Sequence, residues 1–372
     1  MKKIASVFTS ALLAASAFAY AYPVNAVNFA AEQNTGNLTA GDVNYDSNVD
    51  AIDASVVLEF YVKMQTSMAM NPYDFFTEEQ FEIADMNQDG IIAPTDASLM
   101  LSYYAYRMTG GTLCVDDWLS GKDDATVAAP DFSGTADGDF TAEKIADSAV
   151  KPTLSASKIT LSESEARGQT VTISIEVSGV DRQWCSSGIH LFYDERLTPD
   201  MDDVSWGSAI DRFYNYMVKA GSNCIFFTTS GYGDDGEDGT IISYKFMLPD
   251  DAAAGDIFDL DLCYVAGDLF TNHANDETGK LMQAYLFTQG MEDGYIQILP
   301  DVLCGDADES GVIEIADAVK VMCYVTDKES TLITEQGILN GDVYQTGDGL
   351  SVQDALAIQK YLAQIITKLP ES

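Results

Sequence analysis

Histidine is almost missing from this chain: His190 and His273 are the two that occur, far apart in sequence. Histidine-based acid–base chemistry and histidine zinc sites have little to draw on. The six cysteines, Cys114, Cys185, Cys224, Cys263, Cys304 and Cys323, form no C-x-x-C pair and no zinc spacing. Most sit singly among apolar residues, which favours buried free thiols over a disulfide framework. Basic residues are scarce, 19 against 59 acidic ones, for a net charge of −40. Such a surface repels nucleic acid and anionic membranes. Beyond the first residues no apolar run is long enough to span a bilayer. At the start, Lys2 and Lys3 precede an apolar run from Ile4 to Ala21 that ends in small residues. That pattern predicts a secretory signal peptide over 1–21.

What the chain does have is acid at a fixed spacing. One loop offers Asp42, Asn44, Asp46 and Asp53 as side-chain ligands, with the carbonyl of Asn48 and a water-mediated Asp50. A second offers Asp85, Asn87, Asp89 and Asp96 with the carbonyl of Ile91. A third offers Asp306, Asp308, Ser310 and Asp317 with the carbonyl of Val312, and Glu314 as a further acid. A fourth, one residue longer, is bracketed by Asp342 and Asp354 with Asp348 inside. Oxygen at positions one, three, five and twelve is what the hard, oxygen-seeking Ca²⁺ requires. Three to four Ca²⁺ ions are therefore expected. Ser47 stands where a glycine is usual at the sharp turn of the first loop.

Each loop is followed by apolar residues at helical offsets: Val56, Val57, Phe60, Tyr61 and Met64 after Asp53; Leu99, Met100, Tyr103 and Tyr104 after Asp96. Val321, Tyr324 and Val325 follow Asp317, and Ile358, Tyr361 and Leu362 follow Asp354. Alanine follows the closing Asp in all four copies, at Ala54, Ala97, Ala318 and Ala355, which marks an internal repeat. Between the pairs the period changes to two, as in Val171, Ile173, Ile175 and Val177, or Ile242, Tyr244, Phe246 and Leu248. That alternation predicts strands with one buried face, and about 150 residues of them suffice for a β-sandwich. The expected organisation is a signal peptide, 1–21; a helical module with two calcium loops, 35–112; a linker, 113–150; a β-sandwich, 151–300; and a second calcium-loop module, 301–372. The segment 113–150 is rich in Asp, Ala, Gly and Ser, and its alternative reading is an ordered appendage built around Trp118 and Leu119.

A loop followed by a helix, duplicated, and closed by Asp rather than Glu, resembles the dockerin module of cellulosomes. The resemblance covers about 41–110 and 303–369. The middle resembles a cohesin, the dockerin's partner: Lys158–Leu161, Gly168–Ile175, Gly188–Asp194 followed by Leu197, and Gly239–Phe246 followed by Asp251–Gly255 look like that family's strands and turns. The resemblance implies a cohesin-like jelly roll flanked by two dockerins, as in an adaptor scaffoldin. Such a chain is non-catalytic. Its two ends would bind cohesin-bearing scaffold proteins, and its middle would bind dockerin-bearing proteins such as polysaccharide-degrading enzymes. It would be extracellular, with neither nucleic-acid partner nor membrane insertion. The family implies partner contacts just before each closing Asp: Ala51 and Ile52, Pro94 and Thr95, Ile315 and Ala316, Val352 and Gln353. On the middle domain the candidates are His190, Phe192 and Tyr193. The alternative is a secreted carbohydrate-binding protein or a glycoside hydrolase accessory, with Trp184, Trp206 and Tyr232 as a stacking platform.

Overall fold

The structure, a computed structural model, describes residues 38–66, 71–124, 128–220 and 223–371. The expected signal peptide lies outside them. The N-terminal module carries α1 (Ala51–Thr66), α2 (Glu78–Ala84) and α3 (Pro94–Met108). The C-terminal module repeats the plan with α8 (Ile315–Thr326), α9 (Glu335–Gly341) and α10 (Val352–Leu362). Helices α1, α3, α8 and α10 all begin two residues before a closing Asp, which places that carboxylate in the first turn. There it accepts the N–H of the residue preceding the helix: Asp50 to Asp53 at 3.0 Å, Ala93 to Asp96 at 2.8 Å, Glu314 to Asp317 at 2.7 Å and Ser351 to Asp354 at 2.7 Å. A carboxylate in that place satisfies an orphan donor and faces the positive end of the helix dipole.

Between the modules come α4 (Val115–Leu119), α5 (Ala142–Ala146), β1 (Thr153–Ala156), β2 (Lys158–Ser162), α6 (Glu163–Ala166), β3 (Thr170–Ser178), β4 (Ser186–Tyr193), β5 (Thr198–Trp206), β6 (Tyr214–Ala220), β7 (Cys224–Ser230), β8 (Gly239–Met247), β9 (Ile257–Leu262), β10 (Leu269–Thr271), α7 (Glu277–Gln289), β11 (Met291–Glu292) and β12 (Gly294–Leu299). One sheet runs β11-β1-β3-β8-β5; the other runs β2-β12-β9-β4-β7-β6, with β10 also paired to β4. Their inner faces meet through the residues that alternation predicts: Ile173, Ile175 and Val177; Ile242, Tyr244 and Phe246; Phe258 and Leu260. Trp184 closes one end of this core, stacked on Phe270 at 4.8 Å.

Two regions differ from expectation. The sandwich contains helix α7, N-capped by Asp276, whose side chain accepts from Thr278 and Gly279. The segment expected as a linker carries α4 and α5. Its Val115 is buried in the N-terminal core with Trp118 and Leu119 beside it, the ordered appendage that the alternative reading describes. Ala128 donates to the carbonyl of Gly110 and Ala266 to that of Asp131, so the segment is strapped to both neighbours.

Burial breaks the sandwich pattern in one place. Strand β9 alternates exposed and buried residues, as a sheet with one wet face should. Strand β7 is buried at every position, and β4 is buried at all but Phe192. Something covers the outer face of these two strands, and it is the N-terminal module.

Inside the sandwich the Tyr244 hydroxyl is buried without a hydrogen-bond partner. An unpaired buried hydroxyl costs stability. Tyr244→Phe should raise the stability of the chain by about 1 kcal/mol, read as a higher melting temperature; a lower one would show that the hydroxyl has a partner.

Candidate calcium loops and docking face

In every loop the first and last aspartates fold the backbone around themselves. Asp42 accepts from Asp46 and Ser47, each at 3.1 Å, and Asp53 accepts from Val43 at 2.9 Å and Asn44 at 3.2 Å. The second loop repeats this: Asp85 accepts from Asp89 at 3.1 Å and Gly90 at 2.8 Å, and Asp96 from Asn87 at 3.3 Å. In the third, Asp306 accepts from Ser310 and Gly311, and Asp317 from Asp308. In the fourth, Asp342 accepts from Gly347 and Gly349, and Asp354 from Val343 and Tyr344. The turns need left-handed backbone. Gly90 and Gly311 supply it at φ +82° and +84°, whereas Ser47 holds φ +74° without a glycine's freedom.

These oxygens fit a cation. Asp53, Asp96, Asp317 and Asp354 are fully buried carboxylates. Burial, then the charge of Asp50, pushes Asp53 well above the usual carboxylate range, and burial pushes Asp96 up to about 6. Oxygen Oδ1 of Asp342 is buried with no hydrogen-bond partner, an orphan acceptor aimed into the fourth loop. In the third loop Asp306, Asp308 and Asp317 bring carboxylate oxygens within 4.8 Å of one another, and among the described residues this is the one such group of acids. The first two loops carry Asn44 and Asn87 at the third position, so part of their oxygen set is amide carbonyl. Asn48, Ile91 and Val312 stand at the carbonyl position of their loops, and Asp348 is exposed within the fourth. Calcium held there would neutralise the acids that burial disfavours.

The N-terminal module sits on the outer face of β4, β7 and β6. The carbonyl of Ala51, in the first turn of α1, accepts from the hydroxyls of Ser186 at 3.1 Å and Ser230 at 2.8 Å. Further along α1, Glu59 pairs with His273 at 2.9 Å and Lys63 at 2.6 Å. Burial works to raise the Glu59 carboxyl, but its hydrogen bonds to Lys63 and His273 outweigh this and hold it below its ordinary value. Helix α3 meets the sheet with its other end. The Tyr104 hydroxyl donates to the carbonyl of Gly267 at 2.7 Å, and its ring meets Phe226 edge-on at 5.2 Å. Gly188 lies beneath that ring: a Cβ there would stand 2.3 Å from the Tyr104 hydroxyl oxygen, so only glycine allows the approach.

His190 is fully buried at this junction, with Nδ1 2.7 Å from Asp268 and Nε2 3.1 Å from the carbonyl of Met108. Both ring nitrogens face an oxygen, one from each of the two modules, so the ring bridges the junction. Cys185, just before β4 and 3.8 Å from the His273 ring, is buried too, and burial pushes its thiol up to about 12, which disqualifies it as a nucleophile at neutral pH.

Of the expected contact residues, Ala51 engages the sheet, through its carbonyl, and Ile52 is buried beside it. Pro94 is half-buried and Thr95 exposed at the opposite end of α3 from Tyr104 and Met108. In the C-terminal module, Ile315 and Val352 are exposed at 60% and 51%, with Ala316 half-buried and Gln353 exposed. His190 lies on the docking face, Phe192 packs at 5.6 Å from Phe132, and Tyr193 points into the core against Phe246. The stacking platform is not formed: Trp184 is fully buried, and Tyr232 packs against the N-terminal module. Ser186, Ser230 and the His273–Glu59 pair escaped the sequence reading, which had Tyr104 only on a helix face and Gly188 only at a strand start. The run Cys224–Ser230, apolar or small on both faces, is the signal that could have located the covered strand.

Residues 40–103 match the family model of the dockerin type I domain. A stretch of the chain is also 41% identical over 76 residues to a "Xylanase/beta-glucanase" of Ruminococcus flavefaciens, a match covering 18% of this chain. The chain spans about a tenth of the length of that curated relative. Among solved structures, the chain is similar to a type III cohesin module from the cellulosomal ScaE cell-surface anchoring scaffoldin of Ruminococcus flavefaciens. Identity there is 35%, with 46% of this chain and 99% of that one covered, at a TM-score of 0.42. It is also similar to a structure of the third ScaB cohesin of R. flavefaciens in complex with a group 1 dockerin, at 43% identity over 18% of this chain and 95% of that one, TM-score 0.18. A Clostridium thermocellum OlpA cohesin–dockerin complex gives 12% identity over 40% of this chain and 99% of that one, TM-score 0.32.

The loop geometry makes a direct prediction. In calorimetric titration with Ca²⁺, Asp53→Ala should lose one binding event per chain, while Lys63→Ala should lose none. Equal stoichiometry in the two variants would remove Asp53 from the ligand set.

Proposed function

We propose that this chain is a secreted, non-catalytic adaptor. It assembles extracellular polysaccharide-degrading complexes through calcium-dependent pairing of dockerin modules with cohesin-type sandwiches. In this reading, residues 35–112 and 301–372 are dockerin modules, 113–150 joins the first to the middle, and 151–300 is a cohesin. The metal ligands are those of the four loops, from Asp42 to Asp354. The observation that carries the reading is the docked pair itself. A calcium-loop module, matched by the dockerin family, lies with two helices across one face of a β-sandwich, and its hydrogen bonds, an ion pair and an aromatic contact all fit that face. The likeness of a stretch of this chain to part of a xylanase/β-glucanase supports polysaccharide degradation as the setting. No helix among the described residues is long and apolar enough to cross a membrane.

The C-terminal module supports the same reading from the other side. Aligned on the closing Asp, Ile315 stands for Ala51, Val319 for Ser55 and Met322 for Leu58. The first-module residues are covered by the sandwich, whereas Ile315, Val319 and Met322 are exposed at 60%, 54% and 36%. Val352 and Leu356 continue this apolar surface on α10. The face is expected to receive the cohesin of another protein through Ile315, Ala316, Val352 and Gln353 and the apolar residues one turn on.

The test is surface capture of purified cohesin modules by the full-length chain in Ca²⁺, with cellulose and xylan pull-downs in parallel. Capture should vanish with chelator. It should weaken about 30-fold or more in an Ile315→Asp, Val319→Asp variant, the loss expected when a central apolar anchor is removed. Retention on polysaccharide without capture of any cohesin would favour a carbohydrate-binding protein instead.

A further inference from the structure

We infer that the outer face of β4, β7 and β6 is reserved for the chain's own N-terminal module, which fills it in cis and leaves the α8–α10 face as the surface open to other proteins. The inference rests on the proposal that the sandwich receives a dockerin-type module, and it adds which module and from where.

The N-terminal module meets this face at five places, and at three of them its side chain differs from that of the C-terminal module. The Ala51 carbonyl takes two serine hydroxyls. Glu59 takes His273, and the C-terminal module has Cys323 at the equivalent position, which cannot make that ion pair. Tyr104 uses the space above Gly188, where the equivalent residue of α10 is Leu362, without a hydroxyl for the Gly267 carbonyl. Met108 offers its carbonyl to the buried His190–Asp268 pair. Ser55, fully buried on α1, packs beside Cys185, whereas Val319 stands at its place in the C-terminal module.

The orientation is fixed as well. Helix α1 engages with its start and α3 with its end. Turning the module by half a revolution would put Ser102 in place of Glu59 opposite His273, which removes the ion pair. The connection favours the closed form, because the described residues of 113–150 are themselves strapped to both partners, Ala128 to Gly110 of the module and Asp131 to Ala266 of the sandwich. A tethered module acts at an effective concentration in the millimolar range, so for a micromolar docking constant a foreign module would face about a thousandfold handicap. Calcium enters through α1. Ala51 lies two residues before the closing Asp53, and the ion that orders the loop also orders the carbonyl the serines bind.

Complementation between two full-length variants tests this. Ser55→Arg blocks the module and leaves the sandwich face intact; Gly188→Trp blocks the face and leaves the module intact, with Ser230→Arg as its substitute should it fail to fold. By size exclusion with light scattering in Ca²⁺, the parent and each variant alone should be monomers, an equimolar mixture should form a one-to-one dimer, and chelator should dissolve it. A mixture that stays monomeric would show that the face recognises no such module, and the proposed function of the sandwich would fall with the inference. A parent that dimerises in Ca²⁺ would show recognition without closure, overturning the inference alone. Self-association of Ser55→Arg by itself would show that the face also accepts the C-terminal module and is not reserved.

Discussion

Both terminal modules depend on one side chain repeated in four places, the aspartate in the first turn of a helix that also closes an acidic loop. Its carboxylate accepts the amide before the helix and reaches back to the third residue of the loop. The helix start and the loop closure are therefore one event. Because the carboxylate is buried, its charge has no water to stabilise it, and a cation is the natural counterweight. Without one, each module is a small core beneath a cluster of acids that repel one another.

The docking geometry inherits this dependence. A backbone carbonyl is a weak handle unless its helix is in register, and Ala51 stands in the turn that Asp53 organises. The serine pair, the Tyr104–Gly188 contact and the buried His190–Asp268 pair then read a rigid object with two helices at fixed separation. The C-terminal module follows the same plan with a smaller core and exposes Ile315, Val319, Met322, Val352 and Leu356 where the N-terminal module is covered. The two modules share a framework and differ in the face they present.

Much of this was legible in the sequence because its signals are local. The loops announce themselves by oxygen residues at set spacing, the helices by apolar offsets after each closing Asp, and the inner strands by alternation, as in Ile242, Tyr244 and Phe246. What stayed hidden depends on pairing distant segments. Helix α7 lies inside a region whose other elements alternate, and its start is marked only by Asp276. The appendage around Trp118 has little apolar sequence of its own, since it borrows the core of the N-terminal module. The docking face was half seen: Ala51 and His190 were singled out, yet Thr95 proved exposed because α3 docks by its opposite end. No local pattern says which end of a helix meets a partner sheet 80 or more residues away in sequence.

The central claim is that an ion-organised helix start holds the N-terminal module against the sandwich. Thiol labelling mapped by mass spectrometry reads this directly, because Cys185 lies buried beside Ser55 at the junction while Cys114 and Cys323 are exposed. In Ca²⁺ the account predicts labelling at Cys114 and Cys323 with Cys185 protected, and labelling at Cys185 once the calcium is chelated. Equal labelling of Cys185 with and without calcium would contradict it.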